Sequence, residues 1–287
     1  MVQESISYDS EFREIFKVLR RSPSAMFGLV WIIMAVILAI VPQYIAPYDP
    51  LATNTAIRLQ APSLAHLFGT DEFGRDILSR VIFGTRISME VGISVVLIDM
   101  ILGLFLGAFA GYYSKITDTV IMRFADIMLA FPGLVLAILL MAAFGPGVPN
   151  IILSVSLVTW PVYARVIRGE TLRLKRTVFV RASRAIGMNG RTVIMKHIIP
   201  NSIAPAVVVA TLGIGYAVLA EAGISFLGLG VIPPTPSWGL MITEGLQYIL
   251  FDPYIIFFPG LILSITVIAF NLFGDGLRDA LDPSMRI

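Results

Sequence analysis

Residues 178–187 read V-F-V-R-A-S-R-A-I-G and lie within a basic segment, 165–200, between two hydrophobic stretches. This segment carries nine Lys or Arg residues and a single acid, Glu170. Because Lys and Arg in short loops resist translocation, we expect the loop on the cytoplasmic side of a membrane. Its apolar residues recur at helical spacing and predict a short amphipathic helix. Two sets show this spacing: Val178, Ala182 and Ala185, and Phe179, Ala182 and Ile186. Such a helix needs a surface to dock on.

The composition is that of an integral membrane protein. Of 287 residues, 57% are hydrophobic and 14% are charged, and the mean hydropathy is +0.85. Soluble domains average about a quarter charged residues. The first apolar run is long and lacks a small-residue cleavage pattern, so we interpret it as a retained membrane segment rather than a signal peptide.

Six stretches are apolar enough to cross a bilayer, for which about 20 residues are needed. They predict an all-α protein with six transmembrane helices, at 25–45, 88–111, 121–144, 150–166, 202–226 and 254–273. Prolines inside three of these stretches do not exclude them, because neighbouring helices can satisfy the freed backbone groups: Pro132, Pro161 and Pro259.

The distribution of positive charge predicts the orientation. If both termini are cytoplasmic, 17 of the 21 Lys and Arg residues fall on the cytoplasmic side. The other four all lie in the first external loop: Arg58, Arg75, Arg80 and Arg86. This asymmetry favours an N-in, C-in arrangement.

The first external loop contains a helix-start pattern. Thr70 is a suitable N-cap, and Asp71 and Glu72 supply first-turn acids. We expect an amphipathic helix on the outer membrane surface, with one apolar face and two (i, i+4) ion pairs. The face would be Phe73, Ile77 and Val81, and the pairs Asp71/Arg75 and Asp76/Arg80.

A stripe of small residues runs along the second predicted span. Gly103, Gly107 and Gly111 recur every four residues, a pattern that lets another helix approach closely. We expect it to serve packing, either within the subunit or against a partner.

Four acids lie in or beside the spans, where a charge is costly and is a functional candidate. Asp99 and Glu221 are candidates for a polar translocation pathway. Structural pairing with Arg86, Arg123 or backbone groups is an equal alternative for Asp99 and the favoured one for Glu90 and Asp126.

No catalytic or metal-binding residues are predicted. The chain has no Cys and two His, and it lacks the phosphate-binding loop, H-E-x-x-H and G-x-S-x-G patterns. We expect a non-catalytic protein with no bound cofactor and no nucleic-acid partner. If it moves a solute uphill, the energy must come from another chain.

Several motifs match one known family. V-R-A-S-R-A-I-G at 180–187, followed by Ile199 and Pro200, resembles the E-A-A-x-x-x-G…I-x-L-P motif of binding-protein-dependent ABC importer permeases. The second permease subunit of dipeptide/oligopeptide importers is also similar at 67–71, 74–80, 225–230, 233–239, 271–279 and 282–283. The chain departs from the motif at two positions: Arg181 replaces its leading acid, and Ser183 replaces its second alanine.

The resemblance implies a type I ABC importer (MetI-like) transmembrane domain at 86–275, preceded by one extra helix within 25–85. Cytoplasmic parts would be 1–24, the coupling loop 167–200 and the tail 276–287. Partners would be a homologous permease forming a heterodimer, two ABC ATPases holding ATP and Mg, and an extracytoplasmic peptide-binding protein, in a prokaryotic inner membrane. Residues contacting the ATPase would be Val178, Phe179, Arg181, Ala182, Ser183, Arg184, Ala185, Ile186, Gly187 and Pro200.

Other functions stay open from the sequence. The same machinery could import nickel or another small solute. A stand-alone channel or ion-coupled carrier using Asp99 and Glu221 is an alternative of a different class. An intramembrane enzyme is the least supported, since no nucleophile and base pair is recognisable.

Overall fold

A computed structural model describes residues 16–113 and 115–281, and over these residues the regular elements are helical. In chain order the α-helices are α1 (Pro23–Ile40), α2 (Pro42–Ile45), α3 (Ile77–Tyr113), α4 (Lys115–Leu129), α5 (Gly133–Phe144), α6 (Val148–Leu174), α7 (Val178–Ala185), α8 (Gly190–Val193), α9 (Ile199–Phe226), α10 (Trp238–Gly245) and α11 (Tyr254–Leu281). Short 3-10 turns lie at Thr55–Ile57 and Leu246–Tyr248. The predicted all-α membrane class is confirmed.

Among the described residues, five helical stretches are long and apolar enough to cross a bilayer: α1, α3, α6, Gly190–Phe226 and α11. The bent pair α4 and α5 provides the sixth span if it is counted as one. The number of spans therefore agrees with the sequence, but several boundaries do not. Helix α3 has 37 residues, about 55 Å at 1.5 Å per residue, and so exceeds the thickness of a bilayer.

The third predicted span, 121–144, is not one straight helix. Helices α4 and α5 meet at an angle of 89°. The break falls at Pro132, which has no backbone N–H and takes an extended conformation as the N-cap of α5. Pro161, in contrast, lies inside an uninterrupted α6, which continues past Arg165 and Arg168 to Leu174.

The glycine stripe brings α3 and α6 into close contact. A Cβ added at Gly103 would lie 2.4 Å from Tyr163 Cβ, and one at Gly107 would lie 2.5 Å from the Ala164 carbonyl oxygen. At Gly111 the nearest atom would be Thr171 Cβ, at 2.7 Å. The three glycines thus face α6 of the same chain, and the two backbones lie closer together than any side chain would permit.

The fifth span begins with an irregular turn. Helix α8 passes through a π-helical turn, Ile194–Ile198, into α9. Pro200 is the second residue after this turn; it cannot donate a helix hydrogen bond, and its ring would crowd a regular α-turn. The whole stretch, Gly190–Phe226, is continuous.

Both ends of the described chain lie at one end of the bundle. Leu19, Ala25 and Ala280 form one buried cluster, and Gly28 of α1 packs on the Ala269 carbonyl of α11. A cleft at the same end is lined by residues of α6, α9 and α11, among them Arg173, Asn201 and Arg278. We call this the terminal end.

The segment before α3 corrects one prediction. The expected amphipathic surface helix starting at Thr70 is absent: residues 70–76 form a turn closed by a bridge between Thr70 and Asp76. Gly74 has φ +71, and a Cβ there would lie 1.9 Å from the Asn54 carbonyl oxygen, so the turn needs glycine. Asp76 caps α3 instead, accepting hydrogen bonds from the Ser79 N–H at 2.8 Å and the Ser79 hydroxyl at 2.7 Å.

Charged side chains of this turn form a buried network with α3 and α10. Asp71 accepts a 2.6 Å hydrogen bond from Arg75 Nε, as predicted for the pair, although through a turn rather than a helix. Arg80, which is 1% exposed, does not pair with Asp76 but donates to Glu244 Oε2 at 2.8 Å. Burial raises the pKa of the neighbouring Glu72 carboxyl above its ordinary value. The network fastens the opposite end of the bundle.

Substitution of Gly107 by Ala is expected to lower the free energy of unfolding by about 1–3 kcal/mol, because the methyl group would overlap the α6 backbone. Chemical unfolding in mixed micelles, followed by tryptophan fluorescence, measures the change. The matched control is Gly260→Ala in α11, where nothing lies within 4 Å of the added carbon. Equal stability of the two variants would contradict the close α3–α6 contact.

Substitution of Glu244 by Ala is expected to cost about 3 kcal/mol, because it removes a carboxylate from a buried ion network and leaves the Arg80 guanidinium with the longer, 3.5 Å contact to Asp71. The control is Glu170→Ala, which breaks an exposed pair with Arg173 and should cost less than about 1 kcal/mol. The same unfolding experiment measures the stability loss of both variants. A loss in Glu244→Ala no larger than that in Glu170→Ala would refute a stabilising network.

Candidate functional site

Helix α7 occupies most of the predicted 178–187 helix and ends in a glycine turn. Gly187 has φ +85, the left-handed conformation that glycine adopts most readily. Its N–H donates to the Arg184 carbonyl at 3.0 Å, and the Met188 N–H donates to the Ser183 carbonyl at 3.1 Å. These two bonds are the Schellman pattern, which closes a helix and reverses the chain.

One side of α7 is packed against the bundle. Val180 is fully buried and Ser183 is 9% exposed. Val180 belongs to a cluster that joins α3, α6, α8 and α9 through Tyr112, Leu174, Val193 and Ala206. The short helix is therefore fixed to the terminal ends of the longer helices.

The serine at motif position 183 is satisfied within the chain. Its hydroxyl donates to the Phe179 carbonyl at 2.9 Å, and His197 Nε2 lies 3.3 Å from the same oxygen. Because the hydroxyl has one proton, the imidazole is the donor in the second contact. The Phe179 ring meets the His197 ring edge-on at 6.1 Å. Ser183 and Phe179 thus tie α7 to the turn before α9.

The other side of α7 is exposed and carries the predicted docking residues. Val178 and Ile186 are 83% and 80% exposed, and Phe179 is 43% exposed. Four further residues of the predicted set are exposed too: Arg181, Ala182, Arg184 and Ala185. Pro200 lies apart from them, at the start of α9. An apolar strip flanked by guanidinium groups suits a partner groove that is apolar at its centre and acidic at its rim.

Tyr112 links this surface to α3. Lys175 Nζ donates to the Tyr112 carbonyl at 2.6 Å, and the Lys175 and Arg184 charges lie 5.6 and 5.9 Å from the Tyr112 ring centroid. Burial, together with the Arg184 charge, lowers the pKa of Lys175. Movement of α7 would therefore act on α3 as well as on its own flanking helices.

A cavity of about 650 Å³ lies deeper in the bundle, among α3, α4, α6 and α9 and the bend before α5. Its lining is mostly apolar, with Asp99, Thr159, Tyr163 and Tyr216 as polar exceptions. Asp99 is 1% exposed and accepts a hydrogen bond from the Thr159 hydroxyl. The structure thus places one of the two predicted pathway acids in a cavity wall.

The second predicted pathway acid, Glu221, does not line this cavity. It is fully buried, and its carboxylate accepts hydrogen bonds from the Ser88 hydroxyl at 3.1 Å and the Ser225 hydroxyl at 2.8 Å. These contacts join α3 to α9. In this chain the geometry of Glu221 is that of a structural link between helices.

Two of the remaining charged residues of the spans, Asp126 and Arg86, bond to another helix. Asp126 pairs with Arg165 at 2.7 Å rather than with Arg123. Arg86 donates to the carbonyls of Ala39 and Ile40, at 3.0 and 3.1 Å, and so caps the end of α1. Glu90 is exposed.

Sequence reasoning missed two groups of site residues. Thr159 and Tyr163 reach the cavity from α6, and nothing in their spacing distinguishes them from other polar residues of a span. Asp118 receives both forks of the Arg168 guanidinium, at 2.5 and 2.7 Å, and ties α4 to α6. A basic residue just after an apolar stretch signals topology in the sequence and does not identify its partner.

Comparison with known families gives two matches. Residues 103–287 match the family described as binding-protein-dependent transport system inner membrane component. Residues 10–62 match the N-terminal TM domain of oligopeptide transport permease C. Together the two matches cover the glycine stripe, the basic segment and the first span.

Curated relatives and one solved structure are similar over much of their length. The dipeptide transport system permease protein DppC of Alkalihalophilus pseudofirmus is 43% identical over 277 residues, covering 96% of this chain and 91% of the relative. The glutathione transport system permease protein GsiD of Pectobacterium atrosepticum is 41% identical over 281 residues, covering 98% and 93%. A crystal structure of an amino acid ABC transporter with histidines superposes with a TM-score of 0.51 at 19% identity, over 70% of this chain and 92% of that one, and so shares the fold.

Proposed function

The chain belongs to the family of binding-protein-dependent transport system inner membrane components, and on this premise we propose that it is one permease subunit of an ATP-driven peptide importer. A homologous permease would complete a heterodimer, two ABC ATPases would supply ATP hydrolysis, and an extracytoplasmic binding protein would deliver the peptide. Both termini and the basic segment 165–200 would face the cytoplasm, because that segment holds nine of the positive charges.

The observation that carries the proposal is the two-sided character of α7. One side is anchored by Val180 and Ser183, and the other exposes Val178 and Ile186 between arginines. An exposed apolar strip at the charged, terminal end of a membrane protein suits a protein partner. Docking of an ATPase subunit would bury this strip and pair the arginines with acids.

Motion would pass from α7 to the spans as a rigid displacement. The helix is connected to α6 through residues 175–177 and to α8 and α9 through residues 186–189, and its core contacts reach Tyr112 of α3. These spans wall the cavity that contains Asp99. Closure of the ATPase pair on ATP would thus reposition the cavity walls and switch the side from which the cavity is open.

Peptides are the favoured substrates, because the relatives named above are a dipeptide and a glutathione permease. Nickel import by the same machinery has no such support. A stand-alone channel or ion-coupled carrier is also less favoured, because Glu221 is enclosed by serines rather than placed along the cavity with Asp99. Solute flux through the chain alone in liposomes, without ATP or ATPase subunits, would establish that alternative.

Cross-linking tests the docking surface directly. The chain has no cysteine, so single-cysteine variants have no background. Cysteine in place of Ala182 or Ala185 is expected to cross-link to the ATPase subunit in the assembled complex, whereas cysteine in place of the buried Val180 is the negative control. Equal yields for Val180→Cys and Ala182→Cys, or none at Ala182 and Ala185, would refute docking through this face.

Substitution of Gly187 by Ala is expected to uncouple ATP hydrolysis from transport. An alanine at φ +85 costs about 1 kcal/mol, which shifts the equilibrium between the closed and the frayed helix end about fivefold toward the frayed end. The ratio of peptide imported to ATP hydrolysed should fall accordingly in proteoliposomes. Gly169→Ala is the control, since both glycines have open space around them and only Gly187 has a positive φ. An unchanged ratio in Gly187→Ala would contradict the role of the turn.

A further inference from the structure

The cleft at the terminal end has a charged rim and an apolar wall. Its volume is about 790 Å³, and residues of α6, α9 and α11 line it. The polar lining residues lie near the ends of these helices on the terminal side: Glu170, Arg173, Asn201 and Arg278. The other lining residues are apolar: Val166, Ala204, Pro205, Val208, Val209, Leu212 and Leu281. A ligand that fits this cleft therefore combines a polar group with an apolar body.

The rim of the cleft presents two accessible guanidinium groups. The Arg173 side chain is 67% exposed, and its Nε and Nη2 donate to the Glu170 carboxylate at 2.9 and 2.5 Å. Arg278 is exposed and has no hydrogen bond or ion pair to any residue that the structure describes. Its neighbours Asp275 and Asp279 do not line the cleft. One acid thus faces two arginines, so the rim keeps a positive charge, and guanidinium groups match the geometry of phosphate.

The apolar wall has the depth of one bilayer leaflet. Residues 201–212 of α9 span about 17 Å at 1.5 Å per residue, and half of the hydrocarbon core measures about 15 Å. Val209 and Leu212 also line the cavity that contains Asp99, so the groove continues inward from the cleft. Ile203 and Val207, beside the cleft on the same helix, are exposed, so the apolar surface extends outward as well.

The chemistry of this wall favours a hydrocarbon chain over a peptide. Val166 of α6 and the lining residues from Ala204 to Leu212 of α9 have no hydrogen-bonding side chain. A peptide held against them would leave its amide groups unpaired, which is costly away from water. An acyl chain has no such groups to satisfy. Basic pockets between spans at the membrane surface are also sites of the kind that bind anionic lipid head groups.

We propose that this cleft binds an anionic phospholipid, with its phosphate at Arg173 and Arg278 and one acyl chain along the groove between α6 and α9. Asn201 adds a donor at the rim: its Nδ2 donates one proton to the His197 carbonyl at 2.6 Å and has a second for the head group. Because α6 and α9 flank α7 in the chain, the lipid would contact both helices that lead to the exposed face of α7. The site does not depend on the transport function proposed above.

Native mass spectrometry of the full-length chain, purified with the subunits that accompany it, tests the site. Titration with palmitoyl-oleoyl phosphatidylglycerol (POPG) and with phosphatidylcholine of the same chains (POPC) gives the affinity for each lipid. We expect POPG to bind at least about fivefold more tightly, the effect of one positive charge at a membrane surface. Arg278→Gln should remove this preference, and so should Arg173→Gln, because it leaves Glu170 unpaired beside the head group. Arg191→Gln, at an exposed arginine of α8 that does not line the cleft, is the matched control and should keep the preference.

Substitution of Ala204 by Phe tests the groove separately from the charge. Ala204 is exposed, so the larger side chain can be accommodated in the fold and would occupy the path of the acyl chain. The affinity for POPG is expected to fall about fourfold or more, the effect of losing one buried methylene group.

Three results would overturn the proposal: equal affinity of the wild-type protein for both lipids, a preference that Arg173→Gln and Arg278→Gln both leave intact, or an equal loss of preference in Arg191→Gln. Displacement of POPG by millimolar glycerol phosphate, together with unchanged POPG binding in Ala204→Phe, would assign the cleft to a free anion and refute a lipid site. Displacement of POPG by millimolar Ala-Ala would assign the cleft to a peptide and refute it as well.

Discussion

The close contact of α3 and α6 is the constraint on which the rest of the structure depends. Helices in a membrane gain little from hydrophobic burial against one another, so they associate through close packing and hydrogen bonds. Gly103, Gly107 and Gly111 remove the side chains that would hold these two backbones apart. In this pair, α3 carries Asp99, and α6 carries Thr159 and Tyr163. Near the terminal end of α3, Tyr112 packs in the same cluster as Val180 of α7. The cavity that contains Asp99 and the exposed face of α7 are thus positioned by one interface.

Charge is handled differently at the two ends of the bundle. At the opposite end, Arg75 and Arg80 are buried and neutralised by Asp71 and Glu244, which fixes the turn before α3 to α10. At the terminal end, Arg181 and Arg184 are left exposed on α7. Buried charges need complete pairing, and pairing from distant parts of the chain makes the first end rigid. The exposed arginines leave positive charge on the surface of α7.

Agreement between the sequence and the structure follows from how local each signal is. The number of spans, the short helix at 178–187 and its end at Gly187 depend on periodicity and on one glycine, which are properties of neighbouring residues. The helix expected from Thr70 failed because Gly74 and the Asp71 side chain favour a turn that is completed by Asn54 and Glu244, residues distant in sequence. The prediction of a straight third span was wrong, because hydropathy measures how apolar a stretch is and carries no information on its direction. The chain turns by 89° beside Pro132.

The sequence by itself determined that this is an all-helical membrane protein with one strongly basic loop, because hydropathy and charge act residue by residue against the bilayer. Its motifs also pointed to the family, and the glycine spacing predicted close helix packing. Only the tertiary structure decided that the two candidate acids differ. Glu221 is enclosed by Ser88 and Ser225, whereas Asp99 faces a cavity with one oxygen unpaired. The distinction depends on which side chains of other helices reach each carboxylate, and that is fixed by helix rotation and crossing rather than by the sequence around the acid.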